Sequence, residues 1–475
     1  MTARIIAADC VQTLDDFEKS ALRVAGELRA RGVGAGDRVM LKAGNSAAYI
    51  HVLFALMHVG ASIVLVDQQE RAEDSAAMAR RAGVKTLIVD DEAPVEPGAR
   101  PVGLLDLLVA AASRPTPAGG LSWETWESLP DGLVMWTSGS TGEPKGVVKS
   151  GGKFLRNLRR NAAQVGHRAD DTLLPLLPFC HQYGLSMVLI AWLCRCSLVI
   201  APYRRLDRAL RMAGAAGATV FDATPAGYRS IAELIARRHG LRQGLSSARM
   251  LCSGAAPLDE ALVRRYVRET GLPLLDSYGS TELGNVAFAT PDNPVACGRA
   301  MEGIRLRVVG EAGAALPAGA VGEIEVDSPD ALEGFLEADG LLVPAAGGWA
   351  RTGDLGLLDA DGNLTVLGRK FAVQRMGHTV YPEIVERKAA RAGCSARVVA
   401  LPDERWGARL VFFVEDEEGR EAAYWRELLG AALPRYERPN EVVVFDRFPL
   451  NRNGKPDKRE LERRARALAG QLDPR

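Results

Sequence analysis

The sequence predicts an α/β protein: a large N-terminal region of two doubly wound α/β subdomains plus a small β-barrel, followed by a smaller α+β C-terminal domain. Three observations carry that expectation. Short apolar runs alternate with helix-period segments from residue 17 to about residue 275. The pattern then changes to period-2 alternation between Gly-rich turns, and the last hundred or so residues mix strands with polar-faced helices. At roughly 150 residues per domain, a chain of 475 has room for about three folding units.

Phe17, Ala21, Val24, Ala25 and Leu28 share one helical face, and Gly32 stops that helix. Residues 38–42 read as a strand, 46–59 as a mostly apolar helix and 62–67 as a strand. Residues 71–81 follow as a polar-faced helix and 85–89 as a strand. This βαβαβ order requires a parallel sheet covered by helices. Residues 91–130 form an irregular connection around one short helix at 104–112. After a strand at 133–136, further strands are expected at 172–177, 197–201, 218–222, 249–253 and 273–275, which makes a second doubly wound sheet. Segments 305–309, 322–327 and 363–367 alternate as a small antiparallel barrel or sheet. The last unit has strands at 396–401, 409–415 and 441–445 and helices at 420–432 and 457–468. The expected boundary separates residues 1–369 from 370–475.

Composition narrows the function classes. Lys+Arg and Asp+Glu are 59 each, so the net charge is 0, which argues against a general nucleic-acid binder or a polybasic membrane binder. The seven cysteines are scattered without zinc-type or thioredoxin-type spacing and read as reduced thiols. Asp9, Asp15 and Asp16 interrupt any signal-peptide core. The most apolar run, 185–200, contains Arg195 and is shorter than the ~18–20 residues of a membrane span. A cytoplasmic enzyme is expected, with no nucleic-acid or membrane partner.

The strongest chemical signal is Thr137-Ser138-Gly139-Ser140-Thr141-Gly142-Glu143-Pro144-Lys145-Gly146, directly after a strand. Glycines let backbone amides approach an anion, and hydroxyls and an ammonium complete a phosphate cradle. The spacing is not that of a Walker A loop, which disfavours a GTPase or mononucleotide kinase.

This loop resembles the phosphate loop of the adenylate-forming superfamily: acyl- and aryl-CoA synthetases, luciferases and peptide-synthetase adenylation domains. Further segments resemble the family's motifs in the family's order. Cys252-Ser253-Gly254-Ala255-Ala256-Pro257 resembles the stretch along the adenine, and Asp276-Ser277-Tyr278-Gly279-Ser280-Thr281-Glu282 its Tyr-Gly-x-Thr-Glu motif. The resemblance implies that Tyr278 stacks on adenine and Asp276 receives its amino group. It implies that Thr281 contacts the α-phosphate and Glu282 holds magnesium. Trp349-Ala350-Arg351-Thr352-Gly353-Asp354 and Gly368-Arg369 are similar to the ribose-binding motifs, and Pro449–455 to the loop of the adenylating lysine, here Lys455. Pro178-Phe179-Cys180-His181-Gln182-Tyr183-Gly184 resembles the gate of the acyl pocket. His181 and Gln182 would line that pocket with Asp222, Cys252, Gly279, Ser280 and Gly284. His51, His58, His167, His239 and His378 have no such support and read as structural.

The implied activity is ATP- and Mg2+-dependent conversion of a carboxylic acid into an acyl-adenylate. Transfer to a thiol follows, either of CoA or of the phosphopantetheine arm of an acyl carrier protein. Attack of a weak carboxylate on an anionic phosphate needs fixed positive charge and a divalent ion more than a strong base. No carrier domain follows the lysine motif, so a free-standing enzyme is expected. Amino-acid-activating members carry an aspartate in the gate segment. Here Cys180 or His181 takes that place, which favours aryl or acyl acids, because an unpaired buried ammonium is costly. The hinge departs from the pattern as well: seven residues separate Arg369 from Gly377, one fewer than usual, with Lys370 the substitute pivot. That departure motivates an alternative in which an amine or other non-thiol acceptor takes the acyl group. A nucleotide-binding protein without catalysis is a third reading, opposed by the intact loop, Glu282 and Lys455.

Overall fold

A computed structural model of the chain describes residues 2–138, 144–369, 371, 373–376, 378–403, 406–451 and 455–472. The chain divides into one unit of residues 1–306 with 326–350 and another of residues 307–325 with 351–475.

The first unit contains two large sheets. The expected βαβαβ segment builds the parallel part of an eight-stranded sheet, in which Arg38–Lys42 lies between Ser62–Val66 and Thr86–Val89. Leu133–Ser138 extends it in parallel beside Ser62–Val66. Pro144–Lys149 then turns back antiparallel, a strand absent from the sequence reading. Gly334–Leu336 and Leu342–Pro344 complete that edge. The seven-stranded sheet runs Leu274–Leu275, Met250–Ser253, Val220–Ala223, Thr172–Pro175, Ser197–Ile200, Arg4–Ala7 and Val11–Thr13. Its last two strands come from the N-terminus, where the sequence pattern shows no strand.

Side-chain alternation explains why the two sheets stack. Val39, Leu41, Ile63 and Leu65 point to the same core as Leu173, Leu198 and Val220 of the other sheet. Their neighbours Met40, Val64 and Val66 face a separate core on the outer side, and Leu174, Val199 and Phe221 do the same for the second sheet. Helices Ala47–Val59 and Gln182–Leu193 contribute to the shared core. Being enclosed, they have no polar face, and each buried Leu, Val or Ile contributes roughly 1.5–3 kcal/mol. The apolar 185–200 run is therefore a core helix followed by the strand Ser197–Ile200. No helix among the described residues is long and apolar enough to cross a membrane.

The second unit holds most of a four-stranded sheet (Arg305–Val309, Gly322–Asp327, Ala350–Leu358, Leu364–Arg369), the form taken by the alternating segment. It also has a three-stranded sheet of Ala396–Asp403, Gly407–Glu415 and Glu441–Phe445, the last two parallel. Leu410, Phe412 and Val414 pack with Val385 of helix Pro382–Arg391 and with Trp425 and Leu429 of helix Ala422–Ala432. Val411 and Phe413 pack on the opposite face with Leu461 and Ala465 of helix Lys458–Leu472. All seven cysteines are free, and burial pushes the thiols of Cys180, Cys252 and Cys394 up, the last to about 12.

Candidate active site

In the first unit the expected nucleotide residues lie on strand ends and two hairpins. Leu133–Ser138 and Pro144–Lys149 pair antiparallel with Thr137 opposite Lys145, so both ends of the phosphate-loop motif lie on paired strands. Gly139, Ser140, Thr141 and Gly142 lie outside the described residues, as does Glu143. Lys145 is exposed, with its ammonium 5.8 Å from the centre of the Phe335 ring.

Strand Met250–Ser253 leads into the expected adenine stretch. A Cβ at Gly254 would collide with Ser277 Oγ and lie 3.2 Å from the Tyr183 ring, so only glycine permits this approach. Ala255 follows with φ 68°, a left-handed conformation that is strained for a residue with a side chain. Ser277 Oγ donates to the Ser253 carbonyl at 2.8 Å, tying this stretch to the Tyr-Gly-x-Thr-Glu motif. Asp276 Oδ1 accepts from the Ser277 amide, and the Cys297 thiol donates to Asp276 Oδ2 at 3.4 Å. Tyr278 is buried. Ala256 is half-buried and Pro257 exposed.

That motif forms a hairpin, Ser277–Ser280 against Gly284–Phe288, with a register shift at Tyr278/Gly279. Both glycines are needed: a Cβ on Gly279 would lie 2.6 Å from the Gly284 carbonyl, and Gly284 itself has φ 78°. Ser280 Oγ accepts from the Leu283 amide and closes the turn carrying Thr281 and Glu282. Beneath it Lys149, fully buried, donates to the Thr281 carbonyl at 3.1 Å. Burial lowers the Lys149 ammonium to about 8, against the opposing pull of Glu282 and Asp330. Sequence reasoning did not single out this lysine, because nothing local distinguishes it from a strand-end residue. Glu282 is half-buried. One acceptor-only carboxylate beside a polyphosphate suits magnesium, which takes one or two carboxylates together with phosphate oxygens and water, so Glu282 fits that ion.

The gate segment caps helix Gln182–Leu193. A Cβ on Gly184 would collide with the Pro178 carbonyl, so this turn requires glycine. His181 Nε2 lies 3.8 Å from Asp67 Oδ2, and the Cys180 thiol is 3.7 Å from the same oxygen. Asp67, which follows strand Ser62–Val66, thus sits against both His181 and Cys180. Both amide atoms of Gln182 are shielded from solvent without a hydrogen-bond partner among the described residues.

Behind the gate a small cavity is lined by Asp222, Tyr183, Cys252, His167, Asn285 and Phe288, among others. Asp222 and Cys252 are therefore brought together as expected neighbours, while His167, read as structural, turns up beside them. Burial raises the Asp222 carboxyl to about 7, partly offset by the hydrogen bond from Tyr183, and shielding lowers the His167 imidazole to about 4. Asn157 orients the far hairpin strand: its Oδ1 accepts from the Asn285 amide and its Nδ2 donates to the Asn285 carbonyl.

The remaining site residues belong to the second unit. Asp354 and Arg369 are register partners on adjacent strands, with Nε 3.2 Å from Oδ1. Arg369 also donates to the Thr352 carbonyl at 2.8 Å. Lys455 is held by a reciprocal clamp: its amide donates to Asn451 Oδ1 at 3.0 Å, and the Asn451 amide donates to its carbonyl at 2.7 Å. Burial lowers the Lys455 ammonium, and the like charges of Arg369 and Lys458 press the same way. Lys370, the expected pivot, lies outside the described residues.

Residues 3–336 match the family described as AMP-binding enzyme, and 393–455 match the AMP-binding enzyme C-terminal domain. An indoleacetate–CoA ligase of Aromatoleum aromaticum is 30% identical over 92% of this chain and 90% of its own length. The fatty acid–[acyl-carrier-protein] ligase ScoC of Streptomyces coeruleorubidus is 27% identical over 98% of this chain and 93% of its own length. ATP-bound MatB from Rhodopseudomonas palustris superposes with a TM-score of 0.86 at 25% identity, covering 98% of this chain and 96% of that one. The chain belongs to the AMP-binding enzyme family. It is an ATP-dependent, AMP-forming acid ligase that activates a carboxylic acid as an acyl-adenylate and passes the acyl group to a thiol.

Proposed function

We propose that the acid is an aryl or acyl carboxylate entering past His181 and Gln182, and that the thiol is that of CoA. The observation carrying this reading is the hairpin Ser277–Ser280/Gly284–Phe288. Its turn bears the phosphate-side residues Thr281 and Glu282, while its far strand places Asn285 and Phe288 in the cavity wall. One rigid element therefore links the reacting phosphate to the substrate pocket. The CoA ligase of Aromatoleum aromaticum supports the choice of acceptor. The carrier-protein ligase ScoC keeps a phosphopantetheine arm as the second reading.

In this reading the 137–145 hairpin connection and Lys145 hold the β- and γ-phosphates. Gly254, Ala255, Ala256, Pro257, Asp276, Ser277 and Tyr278 hold the adenine, and Asp354 and Arg369 hold the ribose. Glu282 would hold magnesium, which would supply charge neutralisation at the phosphates. Lys455 bridges the carboxylate and the α-phosphate, and its desolvated ammonium is stabilised when those anions arrive. Residues 370–475 then act as a mobile lid pivoting at Lys370, which withdraws Lys455 before the thiol enters. Pyrophosphate release across a panel of aryl and acyl acids, followed by mass analysis with CoA present, tests the proposal. Acid-dependent pyrophosphate and an acyl-CoA are expected. No release with any acid overturns it, and AMP without thioester transfers the acyl group to another acceptor.

A further inference from the structure

The fold brings three side chains with metal-ligating atoms to one point, although Asp67 and Cys180 are 113 residues apart in the chain. Asp67 follows strand Ser62–Val66, and Cys180 and His181 stand at the turn that opens helix Gln182–Leu193. Asp67 Oδ2 lies 3.7 Å from the Cys180 sulfur and 3.8 Å from His181 Nε2. One ligand atom from each of the three residues falls within 4.8 Å of the other two. In a zinc tetrahedron with ordinary bond lengths, sulfur–oxygen and nitrogen–oxygen edges are about 3.3–3.5 Å. The two measured edges therefore need to shorten by only ~0.5 Å or less, and rotation of the half-buried His181 ring closes the third. Asp67 is already aimed: its Oδ1 accepts from the Gln69 amide at 2.8 Å, which leaves Oδ2 to face the pair. Exposure is graded across the cluster, with Cys180 buried and the His181 side chain 37% exposed, so an ion has a way in along the histidine.

We propose that Asp67, Cys180 and His181 form a zinc site, and that the bound ion closes the gate to the acid. The closure, though not the binding, rests on the reading above in which the acid passes His181. Thiolate sulfur and imidazole nitrogen select zinc over magnesium and calcium, which take oxygen ligands. The site thus differs in chemistry from Glu282, whose carboxylate suits magnesium. On binding, the Cys180 thiol gives its proton to solvent, and the thiolate and the Asp67 carboxylate together cancel the two charges of the ion. Three protein ligands leave a fourth tetrahedral position for water. The ion pins the His181 ring to Asp67, so the ring no longer swings aside for an entering acid.

Cobalt(II), which adopts zinc geometry and absorbs light, is the first probe. Titrated into the wild-type chain without ATP or acid, it should give a thiolate-to-cobalt charge-transfer band that saturates at one ion per chain and is discharged by zinc. Cys180→Ser should abolish the band, which excludes the other cysteines as its source. Asp67→Asn, which preserves the shape, should weaken cobalt binding by at least the ~10- to 100-fold that loss of an outer partner costs. A thermal melt without metal checks that each variant folds. With magnesium in excess, stoichiometric zinc should then abolish acid-dependent pyrophosphate release in the wild type and spare it in Cys180→Ser, each measured against its own zinc-free rate. No band in the wild type, or the same band in Cys180→Ser, overturns the site and leaves an ordinary thiol–carboxylate hydrogen bond. A band with undiminished release, or equal loss in wild type and Cys180→Ser, overturns closure of the gate. Should no acid support release, the ligase reading fails while the cobalt titration still decides the site.

Discussion

Two lysines, one in each unit, are both desolvated, yet their surroundings differ in sign. Lys149 is pinned to the Thr281 carbonyl, and the charges opposing its depression are the carboxylates Glu282, Asp330 and Glu333. Its field is already answered, so it acts as a positioning residue that fixes the Thr281–Glu282 turn. Lys455 has its backbone clamped by Asn451, and the charges pressing on its ammonium are the cations Arg369 and Lys458. A buried cation among cations is relieved only when an anion arrives. Lys149 is fully buried and Lys455 partly so, and the proposed mechanism makes the first a strut and the second a reagent.

The largest expected effect separates these roles. Lys455→Ala should lower acid-dependent pyrophosphate exchange by ~100- to 1000-fold, as for loss of one preorganised transition-state donor. Thioester formation from a supplied acyl-adenylate should fall much less. An equal loss in both assays would show that Lys455 is a strut after all. Next, Lys149→Met should cost about 100-fold in adenylation through displacement of the 281–282 turn. Raised magnesium should recover part of that loss, and a thermal melt separates misplacement from unfolding. Asp354→Asn should raise KM for ATP by about tenfold with little change in kcat, because it removes a charge-assisted hydrogen bond made equally in the ground and transition states.

The smallest effect lies in the pH profile. In the proposed mechanism Lys455 acts as the ammonium, and its pKa is lowered from the ordinary 10.5. Activity should therefore be lost as pH rises, starting below the value for a free lysine. Bound ATP brings negative charge, so the alkaline limb should move up from kcat/KM, which reports the free enzyme, to kcat, which reports the complex. Coincident limbs would count against a lysine relieved by its substrate.

Much of the framework was legible in the sequence. The bounds of Arg38–Lys42, Gly322–Asp327 and Glu441–Phe445 coincide with those read from the sequence, the second from period-2 alternation and the other two from short apolar runs. Arg4–Ala7 and Pro144–Lys149 were not legible. The first is short and is held as a strand by pairing with Ser197–Ile200 and Val11–Thr13, and the second lies inside a Gly- and Ser-rich motif. Helix Pro382–Arg391 also escaped notice, although Pro at its first turn is a start signal. In the candidate site, motif order pointed to Thr281, Glu282, Asp354 and Lys455. Asp67, Lys149 and His167 have no neighbour in sequence that marks them.

Residue order by itself determined the layered α/β class and singled out the hydroxyl- and glycine-rich loop and Lys455 as candidates, since periodicity and glycine placement are local properties of a chain. Only the tertiary structure decided which polar groups lose their water. Asp222, Lys149 and Lys455 are ordinary residues in an extended chain, and they become a desolvated carboxyl, a strut and a waiting cation because distant segments close over them.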